Sequence, residues 1–413
     1  MNKTLATTGL ILLATAGPAL ASGYRIPEQS LNSTARAGSY VAYTPGADAA
    51  FFNPANMSWL ENRWTLEADA TWIHLGSINY NDSRNAAYSG DAVSENFFMP
   101  TFFAVSPSYN NFRFGVSMTA PGGLSKRWEE PYPKTFAEEF SLKIFELNPT
   151  VSYAFNEQFS LGAGVRGVYV DGKVKSDGVV SLSPLATATR DMEGDALEAG
   201  YNLALSYRPV KEMNIAVTYR SEVELGIEGD ASLSTSLPVP SRTYVGDTAV
   251  EIPLPAVLAL AVSYTFFDQL TVELEYDRTY WSEYEQLDFS YPTTFTNPIL
   301  TAAFDTAKPR EWQDTDAWRL SLTYDMKNKF ILMAGFAIDE NPAPSENLGF
   351  ELPDSDALLY SVGVRYKINE NMEMGVAYLY DDKESRTVSN GIIEGTIEDA
   401  AAHLVTFGFT YKM

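Results

Sequence analysis

The chain of 413 residues contains no cysteine and only two histidines, His74 and His403. The first absence excludes a disulfide framework, a thiolate nucleophile and a cysteine-ligated metal. The second leaves little for a Ser–His hydrolase, which needs a histidine beside a serine and an orienting acid; neither histidine sits in such a motif. Beyond residue 21 no apolar run reaches 18 residues, so transmembrane helices are excluded on length. Cations are scarce as well: 29 Lys and Arg stand against 53 Asp and Glu, a net charge of −24. That balance argues against nucleic acid, whose phosphates demand clustered Lys and Arg, and against docking on an anionic membrane surface. Asp381-Asp382 reads as a solvated loop and not a calcium cage, so no metal, cofactor or enzymatic role is expected.

The start of the chain is an address. Met1-Asn2-Lys3 is a short basic head, residues 5–16 are apolar, and Ala19-Leu20-Ala21 is a small-residue cleavage pattern, so residues 1–21 read as a secretory signal peptide. Aromatics are abundant, with 24 Tyr, 23 Phe and 7 Trp, and they recur at fixed places. Seven times an alternating apolar strand ends at a tyrosine (Tyr109, Tyr153, Tyr207, Tyr264, Tyr324, Tyr366, Tyr411), followed by a short polar turn or by the chain end. Side chains two apart share a face. In the last strand Val405, Phe407, Phe409 and Tyr411 lie on one face, with Thr406, Gly408, Thr410 and Lys412 on the other. Apolar outside, polar inside and Tyr at the rim describe a membrane-spanning wall. Long polar segments (81–95, 126–139, 176–195, 231–247, 290–313, 339–356 and 381–399) alternate with the short turns. The expected fold is all-β: a transmembrane antiparallel β-barrel of about 14 strands over residues 61–413, with both ends on the turn side. Residues 22–60 keep no period of two and carry two separated prolines, Pro45 and Pro54, which suits a plug, or hatch, inside the lumen.

The terminal Gly408-Phe409-Thr410-Tyr411-Lys412-Met413 resembles the assembly signal of outer-membrane proteins, with Met413 replacing the usual Phe. It implies the barrel assembly machinery as a partner. Ala35-Arg36-Ala37-Gly38, Asp48 and Asn53-Pro54-Ala55 resemble the N-terminal hatch of the FadL/TodX outer-membrane hydrocarbon transporters. The resemblance continues through Tyr219-Arg220-Ser221-Glu222-Val223, Trp281-Ser282, Pro342-Ala343-Pro344 and Leu352-Pro353-Asp354-Ser355-Asp356, in the family's order over nearly the whole mature chain. Two positions depart from it: Leu348 replaces a common basic residue, and Asp356-Ala357 replaces Asp-Arg. Both bear on substrate identity.

The resemblance implies a monomeric transporter in the outer membrane of a Gram-negative bacterium, surrounded by lipid and glycolipid, that passes a hydrophobic small molecule through an opening in its wall. Long-chain fatty acids are the leading substrate and monoaromatic hydrocarbons the runner-up; a polar-solute porin or a structural surface barrel is the alternative of another class. Pro121-Gly122-Gly123 supplies a break in the ladder, since proline lacks the donor and glycine permits a bent backbone; an ordinary strand end is the plainer reading. Arg310, with Lys308 beside it, matches a basic position that contacts the substrate carboxylate in fatty-acid members. Lys173 and Lys175 lie near a second such position, where Ser176 is the aligned residue, and a regular strand turns both lysines outward. Arg220 and Glu222 on one strand, and Glu273 and Glu275 on another, are expected in the lumen, where they either hold the plug or line a solvated interior. Asn53-Pro54-Ala55 is the candidate latch near the wall break.

Overall fold

The computed structural model describes residues 23–182, 185–237 and 241–413; the expected leader lies outside them. Among the described residues, fourteen strands close into one antiparallel barrel: β1 (Thr65–Leu75), β2 (Glu95–Val105), β3 (Phe112–Arg127), β4 (Glu139–Ala154), β5 (Phe159–Leu182), β6 (Leu185–Val210), β7 (Met213–Arg220), β8 (Ala256–Phe266), β9 (Leu270–Tyr280), β10 (Thr315–Asp325), β11 (Phe330–Asp339), β12 (Ala357–Lys367), β13 (Met372–Lys383) and β14 (Ala401–Lys412). The ring closes where β14 pairs β1 from Lys412↔Thr65 to Ala402↔Leu75. Trp64 and Met413 exchange backbone hydrogen bonds of 3.0 Å just outside that seam, so both ends of the wall lie on the turn side.

The period-two pattern sets the faces. Phe407 and Phe409 are 61% and 43% exposed toward the surroundings, whereas Thr406 and Thr410 are buried inside. Tyr153, Tyr324 and Tyr366 stand opposite Phe112, Leu270 and Phe330 on neighbouring strands, and Tyr207 opposite Phe159, which forms the aromatic rim at the turn end. The turns are short; Asn110 and Asn111 take positive φ (49° and 68°), a conformation that asparagine tolerates better than most residues.

Two of the expected loops are not loops. β5 and β6 are 24 and 26 residues long, when about 9–11 span a bilayer. They run on through much of 176–195 as a paired hairpin. A second hairpin, Val223–Thr235 with Thr243–Leu254, pairs alongside β6 from Glu228↔Asp195 to Thr235↔Ala188. Polar residues there do not end the strands, because above the membrane both faces tolerate them while the ladder bonds persist.

Residues 24–57 sit inside the barrel, and nearly all are buried. They form only short helical turns at Leu31–Ala35, Ala49–Phe52 and Pro54–Trp59. Wall glycines make room for this segment. A Cβ on Gly335 would lie 2.1 Å from the Arg36 carbonyl carbon, one on Gly363 2.4 Å from Ala35 Cβ, and one on Gly162 2.4 Å from Ala55 N. Backbone meets backbone at Gly335 and Gly162, so neither side can yield cheaply. Gly335→Ala is therefore expected to unseat the segment while the barrel still forms. Limited proteolysis of the heat-modifiable, folded species should then cut within residues 23–60 at least tenfold faster than in the parent.

Candidate functional site

The interior wall is charged where the N-terminal segment has unpaired amides. Glu273 accepts from the N–H groups of Val41, Ala42 and Tyr43 (2.8, 2.6 and 2.9 Å), and Glu275 accepts from Tyr40 N–H (2.8 Å). Arg36 lies 3.6 Å from Glu273, over the ring of Tyr40. Arg319 donates to the carbonyl of Ala37 (3.0 Å) and pairs with Asp277 and Asp339. Asp69 accepts from Leu31 N–H (3.0 Å), and Arg365 bridges Asn32 and Glu67. Charge-assisted bonds of this kind contribute about 1.5–3 kcal/mol each, so the segment is held firmly.

One stretch of wall is incomplete. β1 pairs β2 along its whole length, but β2 pairs β3 only from Phe102↔Met118 to Val105↔Gly115. Beyond it, β3 shifts register between Thr119 and Gly122, at Pro121. Contact resumes above, at Ala92↔Trp128 and where Val93 N–H donates to the Arg127 carbonyl (2.9 Å). The freed edge of β3 is taken by the start of the N-terminal segment. Ile26 N–H donates to the Pro121 carbonyl (3.0 Å), and Gly123 N–H to the Tyr24 carbonyl (2.9 Å). The Gln29 amide donates to the Ala120 carbonyl and accepts from its N–H, both at 2.8 Å, as a neighbouring strand would.

A chamber of about 310 Å³ lies against this break, lined by Ile26, Met99, Ala120, Leu124 and Ile144 and by the outward-facing Phe98 and Phe145. A tighter outer slot of about 70 Å³ adjoins it; Leu124, Leu142 and Leu352 line both. Most of the slot's other lining is apolar (Val174, Ile227, Val250, Ile252, Leu287, Phe289 and Trp312), with Ser141, Lys173, Glu193, Thr248 and Asn347 among it. Tyr24 forms its floor, fixed edge-on against Trp281 (4.7 Å) within a cluster that includes Tyr284 and Trp312. The same Tyr24 therefore lines the slot with its ring and holds the break with its carbonyl.

Arg310 is the buried cation in the slot's lining, nine-tenths buried and 2.5 Å from Glu351. Burial works against its charge, but Glu351 and Tyr284 outweigh that and hold the guanidinium above its ordinary value. Lys308 is exposed; partial burial, then repulsion from Arg190 and Arg310, pushes its ammonium down. Arg190, which sequence reasoning missed, stacks over Phe289 and Phe304 (both 5.7 Å) and donates to the Phe136 carbonyl (3.2 Å). Glu351 was missed as well. Neither belongs to a motif, and only the folding of distant loops over β6 brings them to Arg310.

Lys173 and Lys175 point outward and face Glu193 and Asp191 across the hairpin at 3.9 and 2.8 Å. Arg220 faces the lumen, pairs with Glu146 at 2.5 Å and lies 4.2 Å over the ring of Phe51. Glu222 does not face the lumen. The strand is interrupted at Ser221-Glu222, and the pleat resumes in the opposite phase, so Val223, Leu225 and Ile227 point inward and Glu222 is half-exposed outside. Asn53-Pro54-Ala55 is not beside the break between β2 and β3. Asn53 donates to the Val41 carbonyl (2.8 Å) and to Ser206 (3.1 Å), and the Ala55 carbonyl accepts from Ser160. This tripeptide is stapled to β5 and β6; the bonds at the break are made by Tyr24, Ile26 and Gln29.

A fourteen-stranded barrel with a lipid-facing apolar exterior and an internally bonded N-terminal segment defines an outer-membrane β-barrel. Residues 12–412 match the family described as outer membrane protein transport protein (OMPP1/FadL/TodX), and the chain belongs to it. It is 25% identical to outer membrane protein P1 of Haemophilus influenzae, over 92% of this chain and 89% of that one. To the long-chain fatty acid transport protein of Salmonella typhi it is 24% identical, over 92% and 93%. A crystal structure of a Pseudomonas aeruginosa FadL homologue shares the fold with a TM-score of 0.80 at 19% identity, covering 94% of this chain and 99% of that one. The Ralstonia pickettii toluene transporter TbuX gives 0.71 at 18% identity, covering 93% and 98%.

The pairing of Gln29 with Ala120 yields a direct prediction. Gln29→Ala removes both bonds that mimic a strand neighbour, each worth about 1 kcal/mol. Hydrogen exchange at the Ala120 amide should accelerate about tenfold or more by mass spectrometry, while amides of β8 and β9 keep their rates.

Proposed function

We propose that the chain takes up long-chain fatty acids across the outer membrane, passing them from the outer slot to the inner chamber and sideways into the bilayer between β2 and β3. The observation that carries this reading is the adjacency of two largely apolar cavities, one holding a buried arginine and the other lying against the interrupted ladder. Each methylene favours an apolar surrounding by about 0.8 kcal/mol, so a long acyl chain gains by staying between greasy walls and loses by crossing water. The axial route is filled by residues 24–57, bonded on many sides. Tyr24 couples the two ends of the path: a ligand pressing on its ring in the slot displaces the carbonyl that holds Gly123, and the freed edge of β3 opens the chamber toward lipid. In this reading residues 22–60 are a hatch, residues 1–21 are removed on export, the terminal strand is read by the barrel assembly machinery, and the protein acts as a monomer.

A second substrate class has one observation in its favour. Glu351 already matches the charge of Arg310, so a neutral arene entering the slot meets no unpaired cation.

Uptake of labelled oleate and toluene in a host lacking its own transporter separates the two. Arg310→Ala is expected to lower oleate uptake about tenfold and leave toluene uptake within twofold; equal effects on both would remove the carboxylate contact. Ala120→Trp, which fills the inner chamber, should lower uptake of whichever substrate is carried. Unchanged uptake in that variant would argue against the sideways route.

A further inference from the structure

Arg310 repels Arg190 and Lys308 nearby, and its own partner in the slot is Glu351, 2.5 Å away. The Arg310–Glu351 pair is largely buried, with 10% and 17% side-chain exposure, in a slot whose lining is mostly apolar. An unpaired guanidinium in such a place is costly, and removing one partner of a buried pair is strongly destabilising. A carboxylate held there by Arg310 alone would conversely be slow to leave, which a transport path cannot tolerate.

We propose that Glu351 is a built-in stand-in for the substrate's carboxylate: it occupies Arg310 when the slot is empty, yields to an arriving acid and returns to expel it. This rests on the fatty-acid reading above. Glu351 is then a specificity-determining residue, because it competes only with anionic head groups and leaves neutral apolar molecules unaffected.

The local geometry suits a side-chain swing on a fixed backbone. Phe350 is fully buried, and its carbonyl accepts from the Trp128 indole N–H at 2.9 Å. Its ring is enclosed by those of Tyr80, Trp128, Tyr132 and Phe136. On the other side of Glu351, Leu352 is wedged between slot and chamber. The carboxylate folds back over Gly349, where an added Cβ would lie 2.3 Å from either carboxylate oxygen. A residue with any side chain at position 349 would push the carboxylate off its place without touching its charge. Gly349 is therefore the seat of the resting carboxylate.

The test compares oleate with oleyl alcohol, which share a chain and differ in head group, by tryptophan-fluorescence titration of the full-length protein in detergent. Glu351→Gln should tighten oleate at least tenfold and leave oleyl alcohol within twofold. Gly349→Ala, which keeps the charge and evicts the carboxylate, should shift oleate in the same direction, and Arg310→Ala added to Glu351→Gln should erase the gain. Heat-modifiability on SDS gels establishes that each variant is folded. If oleate and alcohol change together, or neither changes, in both folded variants, the stand-in role is overturned while the uptake reading stands. If the parent protein binds neither ligand, the uptake reading falls and the stand-in role with it.

Discussion

Every buried backbone amide needs an acceptor, and that requirement governs the inside of this barrel. The N-terminal segment folds into turns too short to satisfy its own N–H groups, so the wall supplies carboxylates in their place. Glu273 alone takes three successive amides, and Glu275 and Asp69 take others. The arginines follow from the carboxylates: Arg36, Arg319 and Arg365 balance acids that would otherwise be buried as bare charge, and Arg319 also satisfies the Ala37 carbonyl of the segment. Acidic strands on an inward face are thus the counterpart of an irregular segment within.

The dependence also runs the other way. At Pro121 the wall has lost its partner strand, and the segment repays the debt with Tyr24, Ile26 and Gln29. An interruption with unsatisfied backbone would not persist in lipid. A piece of the same chain covers the broken edge and supplies the missing bonds. Tyr24 belongs at once to that cover, through its carbonyl, and to the floor of the outer slot, through its ring.

Much of this was legible in the sequence because a strand writes its faces with a period of two. The seven terminal tyrosines and their alternating neighbours gave the strand number and the polarity of the wall, and the loss of period before Leu60 marked the segment inside. Proline and glycine at 121–123 were readable for the same reason that they break ladders. What escaped depends on phase and on distance along the chain. The two-residue interruption at Ser221-Glu222 reverses the pleat, and no composition signal distinguishes a reversal from a continuation, so Glu222 was placed on the wrong face. Polar stretches at 176–195 and 231–247 read as loops, although hydrogen bonding to neighbours carries the strands through them. The Asn53-Pro54-Ala55 motif says nothing of its distance from the break, and the Asn53 amide bonds to Val41 and Ser206. Glu351 and Arg190, 161 positions apart in the sequence by their numbers, meet near Arg310 only through loop packing.

The partial ladder between β2 and β3 has a mechanical side. A closed barrel keeps its girth because hydrogen bonds run unbroken around every level, like the hoop of a cask. Here the hoop is whole at the turn end, where Phe102–Val105 meet Gly115–Met118, and is cut on the loop side of Met118. The lower part of the cylinder is therefore stiff, while in the gap between Met118 and the contact that resumes at Ala92 and Trp128 the edge is held by Tyr24, Ile26 and Gln29 instead of by a strand. Such a wall is bonded strand to strand at its base and strand to plug at the gap.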